Sequence, residues 1–358
     1  MKNIIIFSLE PIDTRYTGEW HKHIPGLLDY SCADRYNIVQ IDGDTNSGAT
    51  TEGAFLDFIS TNQWKNEQAN KFFEMVKQGK VGRDDILLFP DGWNPIITEI
   101  KYVSDLMDMQ WKIHALFHAG SWDENDFLGR IIGAKDWVRD FEKSLYWAID
   151  YCYFATYYHA NLFFNALFNR DIDSFDEKII VTGWPMEYVH EMLEPYTNIV
   201  KENLIVFPHR IAPEKQVAIF RDLADSLPEY EFVVCQDTKL TKAEYHTLLA
   251  KAKIVFSASL QETLGIGCYE GAVLGAFPLV PDRLSYQEMY SDEVKYPSEW
   301  TESWELYLVY KEDLINRIRF EMASFYNSTD IINQQVHRLE NVFFNSDVLI
   351  TNIITSDE

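Results

Sequence analysis

Two glutamates, Glu262 and Glu270, stand eight positions apart around a loop that contains Gly265 and Gly267. The glycines let the backbone approach a bound group closely. A helix that begins near Leu264 would offer free N–H groups and a partial positive charge, which suit a phosphate. We expect Glu270 to reach a ribose diol and Glu262 to meet hydroxyls of another part of the ligand. A surface loop with two solvated glutamates is the alternative.

Two cations lie at the end of a different apolar run, 203–207. Arg210 follows this predicted strand, and Lys215 lies five positions later, where Pro213 suits the first turn of a helix. A diphosphate needs such neutralisation, because Arg binds its oxygens with a fork of donors and Lys acts as a point charge. An ordinary Arg and Lys on a solvated helix start is the alternative.

The elements that must position these residues form two series of alternating strands and helices. Apolar runs predict strands at 4–7, 37–41, 85–89, 112–117, 151–156, 178–181, 203–207, 231–235, 253–256 and 277–280. Helical spacing predicts helices at 63–78, 97–109, 213–226, 241–251, 305–326 and 330–344. We expect a long loop at 10–21 and a linker from 186 to about 202. The alternation predicts parallel α/β sheets with ligand groups at the carboxyl ends of the strands.

The length, charge and cysteine content limit the classes of protein to which this chain can belong. The 358 residues favour two domains, and 47% hydrophobic residues are ample for packed cores. With 31 basic and 56 acidic residues, the net charge of −25 opposes non-specific binding to nucleic acid or anionic membrane unless a local basic patch exists. Four cysteines without a CxxC pair favour free thiols in a reducing cytoplasm. No apolar run reaches the length needed to span a bilayer, so we expect no membrane partner.

The cation pair followed by the glutamate pair resembles the signature of retaining glycosyltransferases of the GT-B fold, which use nucleotide sugars. Residues 181–185 are similar to the link between their domains. The resemblance implies two Rossmann-like, doubly wound domains that face each other across a cleft. By this resemblance, 1–183 is the acceptor-side domain, 184–330 is the nucleotide-sugar-binding domain, and 331–358 is a helix that crosses back to the first domain.

The resemblance also implies a role for each member of the signature. Arg210 and Lys215 would hold the diphosphate, Glu262 the donor sugar and Glu270 the ribose. The backbone N–H groups expected to complete the phosphate cradle belong to Thr263, Leu264 and Gly265. The donor would be a UDP- or GDP-sugar. The acceptor hydroxyl would attack from the front side, with retention of configuration at the anomeric carbon. Neither a metal nor a cofactor is implied.

The first half offers weaker candidates. His118 closes the strand 112–117, where such enzymes often place a His against the donor sugar; a satisfied histidine at a strand end is the alternative. Gly18, in the predicted first loop, is either close to the donor diphosphate or a plain turn glycine. Asp91 and Trp93 would meet the acceptor or simply form a tight turn.

Within the superfamily, residues 208–210 together with 284–286 and Glu288 are similar to the branch that mannosylates queuosine in tRNA. The opening Glu10 and Pro11 with Gly18, Trp20 and His21 are loosely similar to it, but Thr17 stands where a second Gly is frequent and Leu264 where a Phe is common. The resemblance implies an acceptor hydroxyl on a nucleic-acid base, and our specific expectation is the hydroxymethyl group of a modified pyrimidine in phage DNA. The residues that could form a basic patch are Arg15, Lys22, Lys135, Arg139 and Lys143.

Other interpretations stay open at this point. The acceptor could be queuosine in tRNA, a glycan or a small hydroxylated metabolite. The chain could bind a nucleotide sugar without transferring it. Asp42 and Asp44 also imitate the metal-binding DxD of the other glycosyltransferase fold, although a single preceding strand is little sheet for a nucleotide site.

Overall fold

The structure is a computed structural model, and it describes residues 1–45, 57–173 and 176–356. By their contacts, the residues form two compact units. The first contains Met1–Pro185 and the chain from Asn345 onward, and the second contains Met186–Phe344. Residues 331–344, which the resemblance assigns to the returning helix, therefore belong to the second unit, because Gln335 and Arg338 donate to the carbonyl oxygen of Met289.

The described part of the first unit contains a six-stranded sheet. Its strands are β1 (Lys2–Phe7), β2 (Tyr36–Ile41), β3 (Ile86–Phe89), β4 (Lys112–Phe117), β5 (Tyr151–Phe154) and β6 (Ile179–Val181). All pairings are parallel, in the order β2-β1-β3-β4-β5-β6. Ile4, Ile5 and Ile6 are buried, as a continuous apolar run in a central parallel strand should be.

The helices of the first unit lie between these strands and after the second unit. They are α1 (Tyr16–Cys32), α2 (Ser60–Lys77), α3 (Ile96–Leu106), α4 (Phe127–Ile132), α5 (Asp136–Ala148) and α6 (Tyr157–Phe168), with the C-terminal helix at Asp347–Thr355. The loop predicted at 10–21 is wrong in its second half, since α1 begins at Tyr16. Trp20, Ile24 and Leu28 are buried at four-residue spacing, so Trp20 already belongs to the inner face of the helix.

The described part of the second unit contains a five-stranded parallel sheet. Its strands are β7 (Glu202–Phe207), β8 (Glu231–Val234), β9 (Ala252–Phe256), β10 (Phe277–Pro281) and β11 (Lys295–Tyr296), in the order β11-β10-β9-β7-β8. In both sheets the chain starts in the interior, adds a strand on one side and then continues on the other. This is the doubly wound pattern, so the predicted fold class is confirmed.

The helices of the second unit are α7 (Tyr188–Leu193), α8 (Val217–Ser226), α9 (Lys242–Lys251), α10 (Ile266–Val273), α11 (Tyr286–Met289), α12 (Trp304–Ser324) and α13 (Thr329–Val342). The C-terminal helix of the first unit is therefore α14. The linker predicted from 186 to 202 is wrong, because α7 lies within it. Val189 and Leu193 are fully buried four positions apart, a short apolar stripe that acidic and proline residues hide in the sequence.

Candidate functional site

The loop between β9 and α10 is shaped by Gly265. This residue lies immediately before α10 with φ +63°, in the left-handed region that favours glycine. A Cβ there would also come within 2.9 Å of the Tyr286 ring. The helix begins at Ile266 rather than near Leu264, so Glu270 lies in the second turn and is largely buried.

The structure brings Lys215 and Glu262 together. The two residues are 47 positions apart, and the Lys215 Nζ lies 2.9 Å from Oε2 of Glu262. Lys215 also donates to the carbonyl oxygen of Gln261. An ammonium carries three donors, and these two bonds use two of them. The two side chains are 6% and 15% exposed, so Lys215 is buried and Glu262 is largely buried, in the loops that follow β7 and β9.

Lys215 sets the charge of Glu262. Burial alone would raise the pKa of this carboxyl, but the Lys215 ammonium, the charge that His209 carries at low pH and the hydrogen bonds to the carboxylate outweigh burial and hold the pKa at about 2. His209 stands on the other side, with its Nδ1 3.6 Å from Oε2 of Glu262. Burial lowers the pKa of His209 to about 4, although Glu262 opposes the shift. At neutral pH the imidazole is therefore uncharged, and Lys215 is the cation that faces Glu262.

Arg210 has a buried partner of its own. Its Nη2 lies 2.5 Å from Oε1 of Glu214, whose side chain is almost fully buried. The loop that carries both residues is tied to the Glu262 loop, because the Leu260 N–H donates to the Glu214 carbonyl oxygen at 2.7 Å. Gln216, with φ +55°, donates to the Ala258 carbonyl oxygen at 2.7 Å. The two loops of the signature thus form one hydrogen-bonded assembly.

The backbone N–H groups predicted to form a phosphate cradle belong to the loop that carries Glu262. The N–H of Thr263 lies 3.2 Å from Oε1 of Glu262, and the N–H of Gly265 also donates to this carboxylate. Leu264 is buried. Two of the three N–H groups expected to bind phosphate therefore face the Glu262 carboxylate in this structure, and their contact with a phosphate remains a prediction.

Glu270 lies in a polar pocket formed with α9. The Tyr245 hydroxyl donates to its Oε2 at 2.9 Å, and the Nε2 of His246 lies 3.9 Å from its Oε1. Burial lowers the pKa of His246 to about 4, so this imidazole is neutral at pH 7. A Cβ on Gly267 would come within 3.0 Å of the Tyr245 hydroxyl, which explains a glycine at this position of α10.

Arg283 fixes the loop after β9 from behind. Its guanidinium donates to the carbonyl oxygens of Ser259 and Ala258, both at 2.8 Å, and to the Ser298 carbonyl oxygen at 2.9 Å. The Ser257 and Tyr286 hydroxyls lie 3.1 Å apart beside it. The sequence alone assigns no role to Arg283, because a single buried arginine without a spaced partner gives no signal that could reveal it.

In the first unit, His118 follows β4 as predicted. Its Nε2 donates to the Pro90 carbonyl oxygen, and its Nδ1 lies 2.9 Å from the Tyr16 hydroxyl. A carbonyl can only accept, so Nε2 carries a proton. Burial lowers the pKa of His118, and its ring packs 4.5 Å from the Trp184 ring. A role toward a donor sugar remains a prediction.

Gly18 lies in the first turn of α1 and not in the predicted loop. Its N–H donates to the Arg15 carbonyl oxygen at 3.1 Å, and a Cβ would come within 2.9 Å of the Ile12 carbonyl oxygen. The close approach of these two backbone segments accounts for the glycine. Contact with a diphosphate remains a prediction.

Asp42 and Asp44 are engaged by groups of the protein. Asp42 accepts from Ser8 at 2.5 Å and from His21 at 3.0 Å, and Asp44 lies 2.6 Å from the Lys71 Nζ. Over residues 1–45, 57–173 and 176–356, no group of three or more His, Cys, Asp or Glu side chains is placed to hold a metal ion. Nor does any helix in these ranges have the length and apolar character needed to cross a membrane.

No protein-family profile matches the chain. No similar curated protein was found by sequence. The fold, however, is similar to solved structures over nearly the whole chain. UDP-forming α,α-trehalose-phosphate synthase from Burkholderia xenovorans aligns with a TM-score of 0.64 at 9% identity, covering 100% of this chain and 98% of that one. Sucrose-phosphate synthase from Thermosynechococcus elongatus gives 0.61 at 11% identity, covering 99% and 98%. HepE from Anabaena, in complex with UDP and glucose, gives 0.57 at 10% identity, covering 99% of each chain.

The chain has the GT-B fold. At these identities the similarity establishes the architecture alone. What this GT-B chain binds must be inferred from its own side chains, above all from the Lys215–Glu262 pair.

Proposed function

We propose that this protein is a retaining glycosyltransferase that uses a UDP-sugar as donor. The observation that supports this most directly is the buried contact between Lys215 and Glu262. It unites the cation and carboxylate halves of the signature at the carboxyl ends of two neighbouring strands. Ligands of open α/β sheets bind at this edge.

Lys215 and Arg210 would neutralise the diphosphate in this mechanism. As the bond between the anomeric carbon and the β-phosphate oxygen breaks, negative charge grows on the departing UDP. The acceptor oxygen bonds to the anomeric carbon on the same face, and its proton passes to the leaving phosphate oxygen. A cation that binds this growing charge stabilises the transition state, and one such contact is worth about 3 kcal/mol.

Glu262 would bind hydroxyls of the donor sugar. With a pKa of about 2 it is a carboxylate throughout the neutral range, so it accepts hydrogen bonds and does not serve as a proton donor. Glu270 would bind the ribose hydroxyls, with the Tyr245 hydroxyl holding one of its oxygens. The two carboxylates then define the two ends of a nucleotide sugar.

The choice of UDP rests on similar structures. HepE was solved with UDP and glucose, and the trehalose-phosphate synthase is described as UDP-forming. The resemblance seen in the sequence implied UDP or GDP. Both nucleotides belong in the test, because the side chains that we can assign contact the diphosphate, sugar and ribose and not the base.

The acceptor that we propose is a hydroxyl group, and the hydroxymethyl group of a modified pyrimidine in DNA is the specific candidate. One observation favours it. Lys135, Arg139 and Lys143 follow one another at four-residue spacing at the start of and along α5, on one side of the helix. The net charge of −25 weighs against a polyanionic acceptor, so this stripe would have to carry the interaction. The names of the similar synthases instead describe small sugar phosphates.

The donor test measures sugar release from UDP-glucose, UDP-N-acetylglucosamine, UDP-galactose and GDP-mannose without an acceptor. We expect slow hydrolysis of at least one UDP-sugar, reduced at least about tenfold by Lys215→Ala and by Glu262→Gln. Lys77→Ala, at an exposed position of α2, is the control and should keep the activity. Binding of UDP without any hydrolysis would identify a nucleotide-sugar-binding protein, and absence of binding would refute the proposal.

The acceptor test supplies that donor together with hydroxymethylcytosine-containing DNA, bulk tRNA, glucose 6-phosphate or an oligosaccharide. A mass increase of the DNA, lost on Arg139→Glu combined with Lys143→Glu, would support the DNA acceptor. Transfer only to the sugar phosphate or oligosaccharide would eliminate it and leave the glycosyltransferase proposal in place.

A further inference from the structure

His209 occupies a buried position between the two halves of the site. It lies directly before Arg210, and 7% of its surface is exposed. Its Nδ1 faces Oε2 of Glu262 at 3.6 Å, and its Nε2 faces Sγ of Cys268 at 3.9 Å. Cys268 is in the first turn of α10 and is fully buried. A single imidazole therefore connects a helix to the carboxylate at the centre of the site.

These contacts favour one position for the proton on the His209 ring. Burial raises the pKa of the Cys268 thiol far above its ordinary value, so the sulfur bears a hydrogen and can donate to Nε2. The neutral imidazole then carries its own proton on Nδ1. The opposite tautomer would direct the Nδ1 lone pair at the Glu262 carboxylate, which is electrostatically unfavourable.

The Nδ1–H group of His209 attracts the Glu262 carboxylate electrostatically without forming a hydrogen bond to it. It therefore does not occupy any position at which the carboxylate accepts hydrogen bonds. The distance of 3.6 Å is slightly longer than a hydrogen bond. Lys215 attracts the same oxygen from another direction at 2.9 Å. The carboxylate is thus oriented between a cation and a dipole.

We propose that Cys268 fixes His209 as the Nδ1–H tautomer, and that His209 in this form positions Glu262 to receive the donor sugar. His209 is a positioning residue in this scheme, because it acts through Glu262. The inference rests on the proposed function, since it assigns Glu262 to the sugar. It predicts that His209 affects binding of the sugar part of the donor and not of the nucleotide diphosphate.

The test compares three variants of His209 in the full chain by titration with UDP and with UDP-glucose, or with the UDP-sugar that is hydrolysed fastest. Asn can place an amide N–H where Nδ1–H was, Gln places it near Nε2, and Ala removes it. We expect His209→Asn to bind both ligands within about twofold of the native protein. His209→Ala and His209→Gln should bind UDP normally and the UDP-sugar about tenfold more weakly, the effect of one lost polar contact.

Variants of Cys268 test the contact between its thiol and Nε2 of His209. Cys268→Ser keeps a donor for Nε2 and should retain the affinity for the UDP-sugar. Cys268→Ala removes the donor and should weaken that affinity about threefold. Cys32→Ala, which truncates a buried cysteine in α1, is the matched control and should change neither affinity.

The tautomer itself can be measured without any ligand. Ring ¹⁵N chemical shifts of His209, assigned by its loss in His209→Asn, should show a protonated Nδ1 in the native protein and a mixture of tautomers in Cys268→Ala. A protonated Nε2 would overturn the proposal, as would equal loss of UDP and UDP-sugar affinity in His209→Ala. If the native protein binds no nucleotide sugar, the proposed function fails separately, and the ¹⁵N measurement still tests the tautomer.

Discussion

In the Lys215–Glu262 pair, a largely buried carboxylate lies against a single cation. We predict that Lys215→Met destabilises the protein by about 3 kcal/mol, because it leaves a buried charge without its partner. Chemical denaturation at pH 8 measures the loss. Adding Glu262→Gln to this variant removes the orphaned charge and should restore part of the stability.

The loss caused by Lys215→Met should depend on pH. In the native protein the pKa of Glu262 is lowered from 4.5 to about 2, so its contribution to stability is present above pH 4.5 and is lost as the pH falls toward 2. Without Lys215, we expect burial to dominate and to raise the pKa of Glu262, so that the folded state of the variant loses stability as the pH rises. The difference between the two proteins should therefore be smaller at pH 4.5 than at pH 8. An equal difference at both values would contradict the assignment.

The hydroxyl group of Tyr245 should contribute to the stability of the protein. Tyr245→Phe removes a hydrogen bond of 2.9 Å to the buried Glu270 carboxylate and should cost about 1 to 2 kcal/mol of stability. If Glu270 holds the ribose, the affinity for UDP should fall as well. Tyr30→Phe, at an exposed position of α1, is the control for both measurements. Unchanged UDP affinity in Tyr245→Phe would argue against the ribose role of Glu270.

At the scale of the element, α10 depends on how the chain enters it. We predict that Gly265→Ala destabilises the protein by at least about 1 kcal/mol, because φ is +63° and the added methyl would meet the Tyr286 ring. Two other glycines separate these causes. Gly79 has φ +67° with open space around it, so Gly79→Ala measures the backbone term alone.

Gly26 completes the series. It lies within α1, and no neighbouring atom comes within 4 Å of the position that a methyl would take. Gly26→Ala should therefore stabilise the protein by about 0.5 to 1 kcal/mol through helix propensity. Denaturation curves of the three variants should rank Gly26→Ala above Gly79→Ala, and Gly79→Ala above Gly265→Ala. Equal effects at Gly79 and Gly265 would show that the Tyr286 contact costs nothing.

Ten of the eleven described strands were predictable from the sequence, because parallel strands are buried on both faces and appear as continuous apolar runs. The two-residue β11 is too short to give such a run and was not predicted. The runs at 112–117 and 203–207 match β4 and β7 to within one residue. The start of α1 and the whole of α7 were not predictable in the same way. The start of α1 has few apolar residues, and α7 is only six residues long and lies between Pro185 and Pro195. In both cases burial against the rest of the unit decides the structure.

The candidate site was predictable in composition and only partly in arrangement. Residue spacing indicated that Lys215 and Glu262 belong to one site, because both follow strands of the same half. The spacing of Arg210 and Glu214 allows an ion pair, but the two residues do not share a helix, so the sequence offers no firm reason to expect one. The contact between Tyr245 and Glu270 joins positions 25 apart and has no signal in the sequence. His209 did have a signal, its place between a strand end and Arg210, but its neighbour Cys268 is 59 positions away.

At the scale of the whole molecule, buried neutral histidines should determine how the free energy of unfolding changes as the pH falls. Burial lowers the pKa of His114 to about 3, lowers the pKa of His118, and lowers the pKa values of His209 and His246 to about 4. Each unit contains two of them. A histidine whose pKa is lowered by folding contributes its full stability above the pKa of the unfolded state, which is about 6.5. This contribution is lost as the pH falls toward the pKa of the folded state.

The free energy of unfolding should therefore decrease from pH 6.5 to pH 4.5, before Glu262 begins to titrate. Each of these imidazoles contributes up to about 1.4 kcal/mol per pH unit in this range. His246→Asn removes one such group, whose Nε2 has no hydrogen-bond partner among the described residues, and should flatten the decrease by that amount. His337→Asn changes an exposed histidine of α13 and should leave the slope as it is. Denaturant titrations at pH 6.5, 5.5 and 4.5 measure the slope of the unfolding free energy against pH. If His246→Asn leaves this slope unchanged, the His246 imidazole is able to protonate in the folded protein.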